Sequence, residues 1–316
     1  MSESIYLGFS VVFPLLFYMI IGIAAKRSGW MNEKTYVEMN RVVFRVFLAV
    51  LLFLNAYSVD ADSAFGGENI KVLILSLTAL AVVFTGALIV SRFLIPDKAR
   101  RAVLIQGIYR SNLALFGLPV SMAIYGEGKQ ETVAVLIAVV VPVFNIIAAV
   151  LLNQAKGGRI SIGGILKKTL SNPLVLASVL GLVFSIVKMP IAQFIMTPLE
   201  GLSKAATPLA FMVLGGSLNA ESIRKNMKAI VTMCFIRLVL VPGIVLSCAV
   251  LSGISGAALV AVLVAFASPI AVSSYTMAKE LEVSPDLAGE LVAATTLMSI
   301  LTMFMWIALL NFMKFI

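Results

Sequence analysis

The chain has 316 residues, 61% of them hydrophobic and 12% charged, with a mean hydropathy of +1.06 and a formal net charge of +9. A water-soluble domain carries about 25% charged residues, so the composition excludes one and indicates a polytopic membrane protein. Histidine is absent and Cys234 and Cys248 are the only cysteines, which excludes a disulfide framework and a thiolate or imidazole metal site.

The basic excess does not call for a nucleic-acid partner, because loops that face the cytoplasm collect Lys and Arg. The opening Met-Ser-Glu-Ser has neither a basic stretch nor a small-residue cleavage site, so the first apolar run reads as a retained span. A bilayer core asks for about 20 apolar residues per helix. Ten spans are expected on that basis, at 5–25, 38–57, 70–93, 102–124, 132–153, 173–187, 204–219, 229–251, 257–278 and 290–313. The sixth and seventh are short, and the 188–203 linker is available to extend them.

The odd-numbered loops hold most of the basic residues, among them Lys26, Arg27, Arg100, Arg101, Lys167, Lys168, Arg224 and Lys228. The even loops and the termini hold only Lys71, Lys129, Lys188, Lys204 and Lys314. The positive-inside rule then places the odd loops in the cytoplasm and both termini outside the inner membrane. The basic linker at 154–172 divides the chain into a first unit, 1–153, and a second, 173–316, each with five spans. An odd number of spans inverts the second unit, so the fourth span pairs with the ninth. Such inverted repeats are common in secondary transporters.

Two spans are interrupted at matching places. Arg110-Ser-Asn-Leu-Ala-Leu-Phe-Gly-Leu-Pro119 breaks the fourth, with Gly117 and Pro119 as its breaking residues, and Ala267-Ser-Pro-Ile-Ala-Val-Ser-Ser-Tyr275 breaks the ninth at Pro269. Interrupted spans at corresponding positions point to a substrate site. Proline is tolerated in membrane helices, and Pro14, Pro142 and Pro242 read as simple kinks.

All Asp and Glu fall in loops or at span ends, which removes the usual intramembrane proton relays and catalytic carboxylates. No enzymatic activity and no cofactor are expected. Arg110 and Arg237 lie about 12 Å inside their spans at 1.5 Å per residue, and Arg41 and Arg45 sit one turn apart in the second. Each arginine either snorkels or binds helix carbonyls, or serves as counter-charge to an anion. Asn112 and Asn145 can each donate and accept, and Ser268, Ser273 and Ser274 offer hydroxyls from the opposite unit. Their plain alternative is an interhelical hydrogen bond or close small-residue packing.

Four blocks together resemble the auxin efflux carrier family, which includes plant auxin carriers and bacterial malate or malonate permeases. They are Asn112–Pro119 with Tyr125-Gly126, Asn172–Gly181, Thr207–Leu218, and Ala267–Ala271 with Ala278-Lys-Glu280 and Pro285-Asp286. The resemblance implies an all-α fold of ten helices in two inverted repeats, like bile-acid and sodium/proton transporters, with the fourth and ninth helices crossing at their breaks. It places the family's crossing asparagine on Asn112, its crossing proline on Pro269, and a second-helix basic residue on Arg45. It further implies a homodimer through a scaffold of spans 1, 2, 6 and 7, with spans 3–5 and 8–10 as an elevator-like transport domain. Ser111 and Ala49 stand where relatives often carry proline, and the long cytoplasmic loop of plant carriers is replaced by the short 154–172 linker.

The expected function is secondary transport of a small organic anion, a mono- or dicarboxylate. The candidate substrate-binding set is Arg110, Ser111, Asn112, Ser268, Pro269, Ile270, Asn145 and Arg45. Sodium coupling through unwound carbonyls and hydroxyls is left open beside uniport. The alternatives are a membrane sensor on a transporter fold and a sodium-coupled carrier of the bile-acid type.

Overall fold

A computed structural model describes residues 2–58, 67–125, 130–157 and 171–316. These residues form helices and turns; among them the only β-type pairing is an isolated antiparallel bridge between Ser111 and Ile270. Most of the 154–172 linker, and Gly126, lie outside the described residues.

Before the linker lie α1 (Ser2–Arg27), α2 (Glu33–Val42), α3 (Leu48–Tyr57), α4 (Gly67–Leu94), α5 (Lys98–Tyr109), α6 (Leu113–Tyr125) and α7 (Glu131–Ala155). A π-helical turn, Val43–Phe47, joins α2 to α3 without a break. After it lie α8 (Pro173–Ile186), α9 (Gln193–Ser217), α10 (Ala220–Phe235), α11 (Val241–Leu251), α12 (Gly256–Ala267), α13 (Val272–Glu280) and α14 (Pro285–Phe312). Here the π turn is Ile236–Leu240, between α10 and α11.

Among the described residues, four stretches are long and apolar enough to cross a bilayer: Gly67–Leu94, Glu131–Ala155, Glu221–Leu251 and Pro285–Phe312. α9 begins eleven residues before the expected 204, because Gln193–Lys204 continues the helix through Pro198.

Polar residues set the helix starts. Asn32, Asp97, Asn172 and Asn219 each accept a hydrogen bond from a backbone N–H in the first turn of the helix that follows. Such caps satisfy donors that the helix itself leaves orphaned. The π turn before α11 also has a local cause. Pro242 has no N–H for the carbonyl of Leu238 four residues earlier, and that oxygen instead accepts from Trp306 Nε1 at 2.9 Å.

Burial follows the helix faces. Every residue of α12 from Ala258 to Ala267 is buried, so this uniformly apolar helix runs through the centre. α4 keeps Ile74, Val82 and Phe93 exposed, as a helix facing lipid does. α1 packs chiefly along α9, and α3 along α8 and α9; α5 and α6 both pack against α7. α1 also lies along α14.

The α1–α9 contact is backbone to backbone. A Cβ on Gly215 would stand 2.1 Å from the Met19 carbonyl oxygen, and one on Gly22 would stand 1.9 Å from the Met212 oxygen. Tyr36 fills the gap beside Gly216 and donates to the Gly22 carbonyl at 2.6 Å. Small residues allow such approach where the hydrophobic effect supplies no force between helices.

Gly215→Val is therefore expected to destabilise by about 1–3 kcal/mol through forced separation of the helices. Gly201→Val in the same helix has nothing within 4 Å of the new Cβ and serves as control. Thermal unfolding in detergent measures both; equal melting temperatures would refute the close-contact account.

Candidate functional site

The site is built where two helices stop and restart. α5 ends at Tyr109 and α6 begins at Leu113; α12 ends at Ala267 and α13 begins at Val272. The intervening backbones are extended and pair antiparallel. Asn112 N donates to Pro269 O at 2.8 Å and Ala271 N donates to Arg110 O at 3.3 Å. Ile270 N is taken by Thr295 Oγ1 of α14 at 3.2 Å. Each break thus supplies the partners that the other lacks.

Arg237, in the π turn before α11, is fully buried. Its Nε and one terminal nitrogen donate to Ser268 O at 3.1 and 3.0 Å, its other terminal nitrogen donates to Ile108 O at 3.0 Å, and Ala265 O lies at 3.5 Å. These carbonyls belong to the C-terminal ends of α5 and α12. One guanidinium therefore caps two helix ends of negative polarity at once.

Arg110 is also buried, at 1% exposure, but it meets side chains and no helix-end carbonyls. It donates to Gln106 Oε1 and Ser273 Oγ at 3.0 Å each and to Asn145 Oδ1, with Met277 Sδ at 3.8 Å. All four partners are neutral. Asn145 is held in turn by donating to Ser178 Oγ at 3.3 Å.

Beside Arg110 lies a cavity of about 60 Å³, lined by Arg110, Ser111, Asn112, Asn145, Ser273 and, from α9, Thr207, with apolar residues of α3, α6, α7 and the start of α13. Ser111 Oγ and Asn112 Nδ2 are buried and have no hydrogen-bond partner. The first turns of α6 and α13 reach the cavity at Ala114, Leu115, Val272 and Ser273. Opening turns present N–H groups and a partial positive charge. A buried cation, two unmatched polar atoms and two helix N-termini can together hold a carboxylate.

Arg110, Ser111, Asn112 and Asn145, all expected at the site, are brought together there. The others are placed elsewhere. Ser268 turns its hydroxyl back onto Val264 O, and Pro269 contributes its carbonyl to the pairing. Ile270 faces a void of about 10 Å³ on the far side, shared with Gln106 and Ser274. Arg45 does not line the cavity; it donates to Glu280 Oε1 at 2.6 and 3.1 Å, with Arg41 3.9 Å from the same carboxylate. Gly117 and Pro119 sit inside α6, and the break falls at Arg110–Asn112 instead. The helix absorbs Pro119, and Gly117 is needed for close packing, since a Cβ there would stand 2.8 Å from Val133.

Two participants were missed in the sequence. Gln106 precedes Arg110 by four residues, one helical turn on the same face, and that spacing could have found it. Glu280 stood in a quoted motif without a partner. Arg237 takes one of the roles expected of it, binding helix carbonyls. Glu290, expected at a span start, is buried at 2% exposure in the second turn of α14, where it accepts from Asn226.

Residues 7–307 match the model of the membrane transport protein family, the auxin efflux carrier family. The chain belongs to this family. It is 24% identical over 298 residues to an uncharacterized transporter of Methanothermobacter thermautotrophicus, covering 93% of this chain and 96% of the relative. To the uncharacterized transporter MJ1031 of Methanocaldococcus jannaschii it is 23% identical over 304 residues, covering 94% and 96%. Family membership and apolar helices together make it a multi-pass membrane protein of a transporter family, which is not an enzyme class.

Arg237→Met strands carbonyls of α5 and α12 in an apolar interior, at roughly 1–3 kcal/mol for each unsatisfied group. The variant is expected to lose most of its folded yield and melt well below the parent. Arg237→Lys should recover only part, because one ammonium lacks the planar fork that reaches both helices. Size-exclusion profiles and melting curves test this, and parent-like behaviour of Arg237→Met would remove the capping role.

Proposed function

We propose that this member of the family is a secondary transporter of a small organic anion, a mono- or dicarboxylate, bound between the paired breaks and moved by an elevator-type change of access. The observation that carries the reading is the Arg110 environment: a buried cation with only neutral partners, beside unmatched Ser111 Oγ and Asn112 Nδ2. An anion completes such a site; a cation would meet repulsion from Arg110 and from both helix N-termini.

Size narrows the class. A cavity of about 60 Å³ holds roughly four to six waters at about 10–15 Å³ each. That is comparable to the heavy atoms of a two- or three-carbon carboxylate. A malate- or auxin-sized substrate requires α3 to draw away from α6.

The pairing supports two inverted repeats with broken, crossing fourth and ninth helices. Ser111 faces Ile270, and the two flanking hydrogen bonds exchange roles as a two-fold axis through the bridge requires. The packing of α1, α3, α8 and α9 supports a scaffold of spans 1, 2, 6 and 7, through which a homodimer would form, with α4–α7 and α10–α14 as the transport unit. The α1–α14 contact and the Arg45–Glu280 ion pair then lie on the seam between units. The cation distribution supports odd loops in the cytoplasm and both termini outside an inner membrane.

Arg45 is 59% exposed and Glu280 16%, and a pair that meets water contributes up to about 1 kcal/mol. Such a pair biases the seam without locking it. Glu280→Gln is therefore expected to change transport rate within about fivefold while leaving the order of preferred anions unaltered. A changed anion order would instead place Glu280 at the substrate.

The decisive experiment is a thermal-shift and proteoliposome-uptake screen against mono- and dicarboxylates. A ligand at 100 times its Kd stabilises by about 2.7 kcal/mol. Arg110→Gln removes a charged hydrogen bond of about 1.5–3 kcal/mol, a 10- to 150-fold loss of affinity. Asn112→Ala is expected to weaken binding about five- to tenfold, as loss of a neutral hydrogen bond does. If both variants bind and move every carboxylate as the parent does, the site is elsewhere.

A further inference from the structure

The last turn of α4, the first turns of α5 and the end of α7 enclose a second space, a groove of about 520 Å³. Its floor is apolar, with Leu88, Ile105 and Leu151, and its rim carries Arg92, Lys98 and Arg101. No acidic residue lines it. Among the described residues Arg92, Lys98 and Arg101 have no ion-pair partner, and Arg101 reaches only the Ile95 carbonyl, at 3.4 Å. Asp97, the acid beside them in sequence, is engaged by the N–H of Ala99 as the cap of α5.

Three uncompensated cations above an apolar trough, at the end of a membrane-length helix, match an anionic amphiphile. We propose that this groove binds an anionic phospholipid, with the phosphate on Arg92, Lys98 and Arg101 and an acyl chain along Leu88, Ile105 and Leu151. Basic pockets between spans on the cytoplasmic side recognise such headgroups, and arginine forks pair with phosphate oxygens. A free soluble anion would use the rim and leave the floor bare.

The larger groove of about 620 Å³ between α1, α10 and α14 provides the contrast. Its lining is apolar except for Glu290 and Thr302, so it offers hydrocarbon contact and no site for a phosphate. The lipid at the basic groove would tie α4 to α5 and α7. α5 ends at Tyr109, next to Arg110, and α7 carries Asn145, so the headgroup braces the helices that hold the proposed anion site.

The test uses the full chain in nanodiscs of phosphatidylcholine alone or with phosphatidylglycerol, reading melting temperature, with retained lipid counted by native mass spectrometry. Phosphatidylglycerol is expected to raise the melting temperature and to be retained selectively. Each neutralised cation should weaken retention about fivefold, so Arg92→Gln with Arg101→Gln loses about 25-fold. That double variant should melt like the parent in phosphatidylcholine, whereas Arg224→Gln with Lys228→Gln, on α10, should keep the preference. If the first double variant does not fold, Lys98→Gln alone should show the fivefold loss.

Equal retention of the two lipids overturns the proposal, as does an equal loss in the α10 control, which would mean diffuse surface charge. Stabilisation by glycerol phosphate as large as by the lipid would replace it with a soluble-anion site. Carboxylate binding at Arg110 is read separately, so failure of either assignment leaves the other standing.

Discussion

A helix that stops inside an apolar layer leaves N–H and C=O groups that no water can satisfy. Two such stops occur among the described residues, and the structure depends on how their loose ends are matched. The extended pieces exchange hydrogen bonds with each other at Asn112–Pro269 and Ala271–Arg110. The carbonyls that remain converge on Arg237, buried in the π turn before α11. The π turn widens that helix locally, and Pro242 and Trp306 account for the carbonyl it frees. A kink that looked incidental in the sequence therefore belongs to the support of the site.

Capping the C-terminal ends with Arg237 has an electrostatic consequence at the cavity. The negative poles of α5 and α12 are offset within the protein, while the positive poles of α6 and α13 face the cavity beside Arg110. The same pair of breaks thus presents unlike surfaces, one closed by the protein's own cation and one still lacking a negative group. Two arginines of similar depth in sequence divide into a structural and a binding candidate because of which helix ends they meet. Burial alone does not separate them: both are at or below 1% exposed.

Much of this was legible beforehand. Composition identified a membrane protein, and two polar interruptions located the segments that carry the breaks. Asn112, Arg110, Ser111 and Asn145 were recognisable as polar groups in apolar surroundings. The position of the first break was not, because Gly117 and Pro119 are the residues a local rule selects. The chain opens instead at Arg110–Asn112, where the partner strand at Pro269–Ala271 can replace the lost bonds. Long-range pairing of this kind is invisible to local propensity. The fate of Arg45 was hidden for a related reason, since Glu280 is its neighbour only in three dimensions. Its pairing with Glu280 replaces an expected place in the substrate set with one on a helix–helix contact.

The cavity is complete in donors yet small in volume, and those two facts bear on mechanism together. Arg110 is held by Gln106, Asn145 and Ser273, so its guanidinium is positioned before any ligand arrives, which lowers the ordering cost of binding. Leu48, Leu51 and Leu52 of α3 form the wall that limits the space. Most polar groups of the site belong to the paired breaks and α7, whereas the limiting side belongs to α3 and α9, with Thr207 its one hydroxyl among the lining residues. Moving one set against the other would alter access and volume while leaving the donors in register. In the proposed transporter, selectivity for charge then resides in the breaks, and selectivity for size resides in how far α3 and α6 can part.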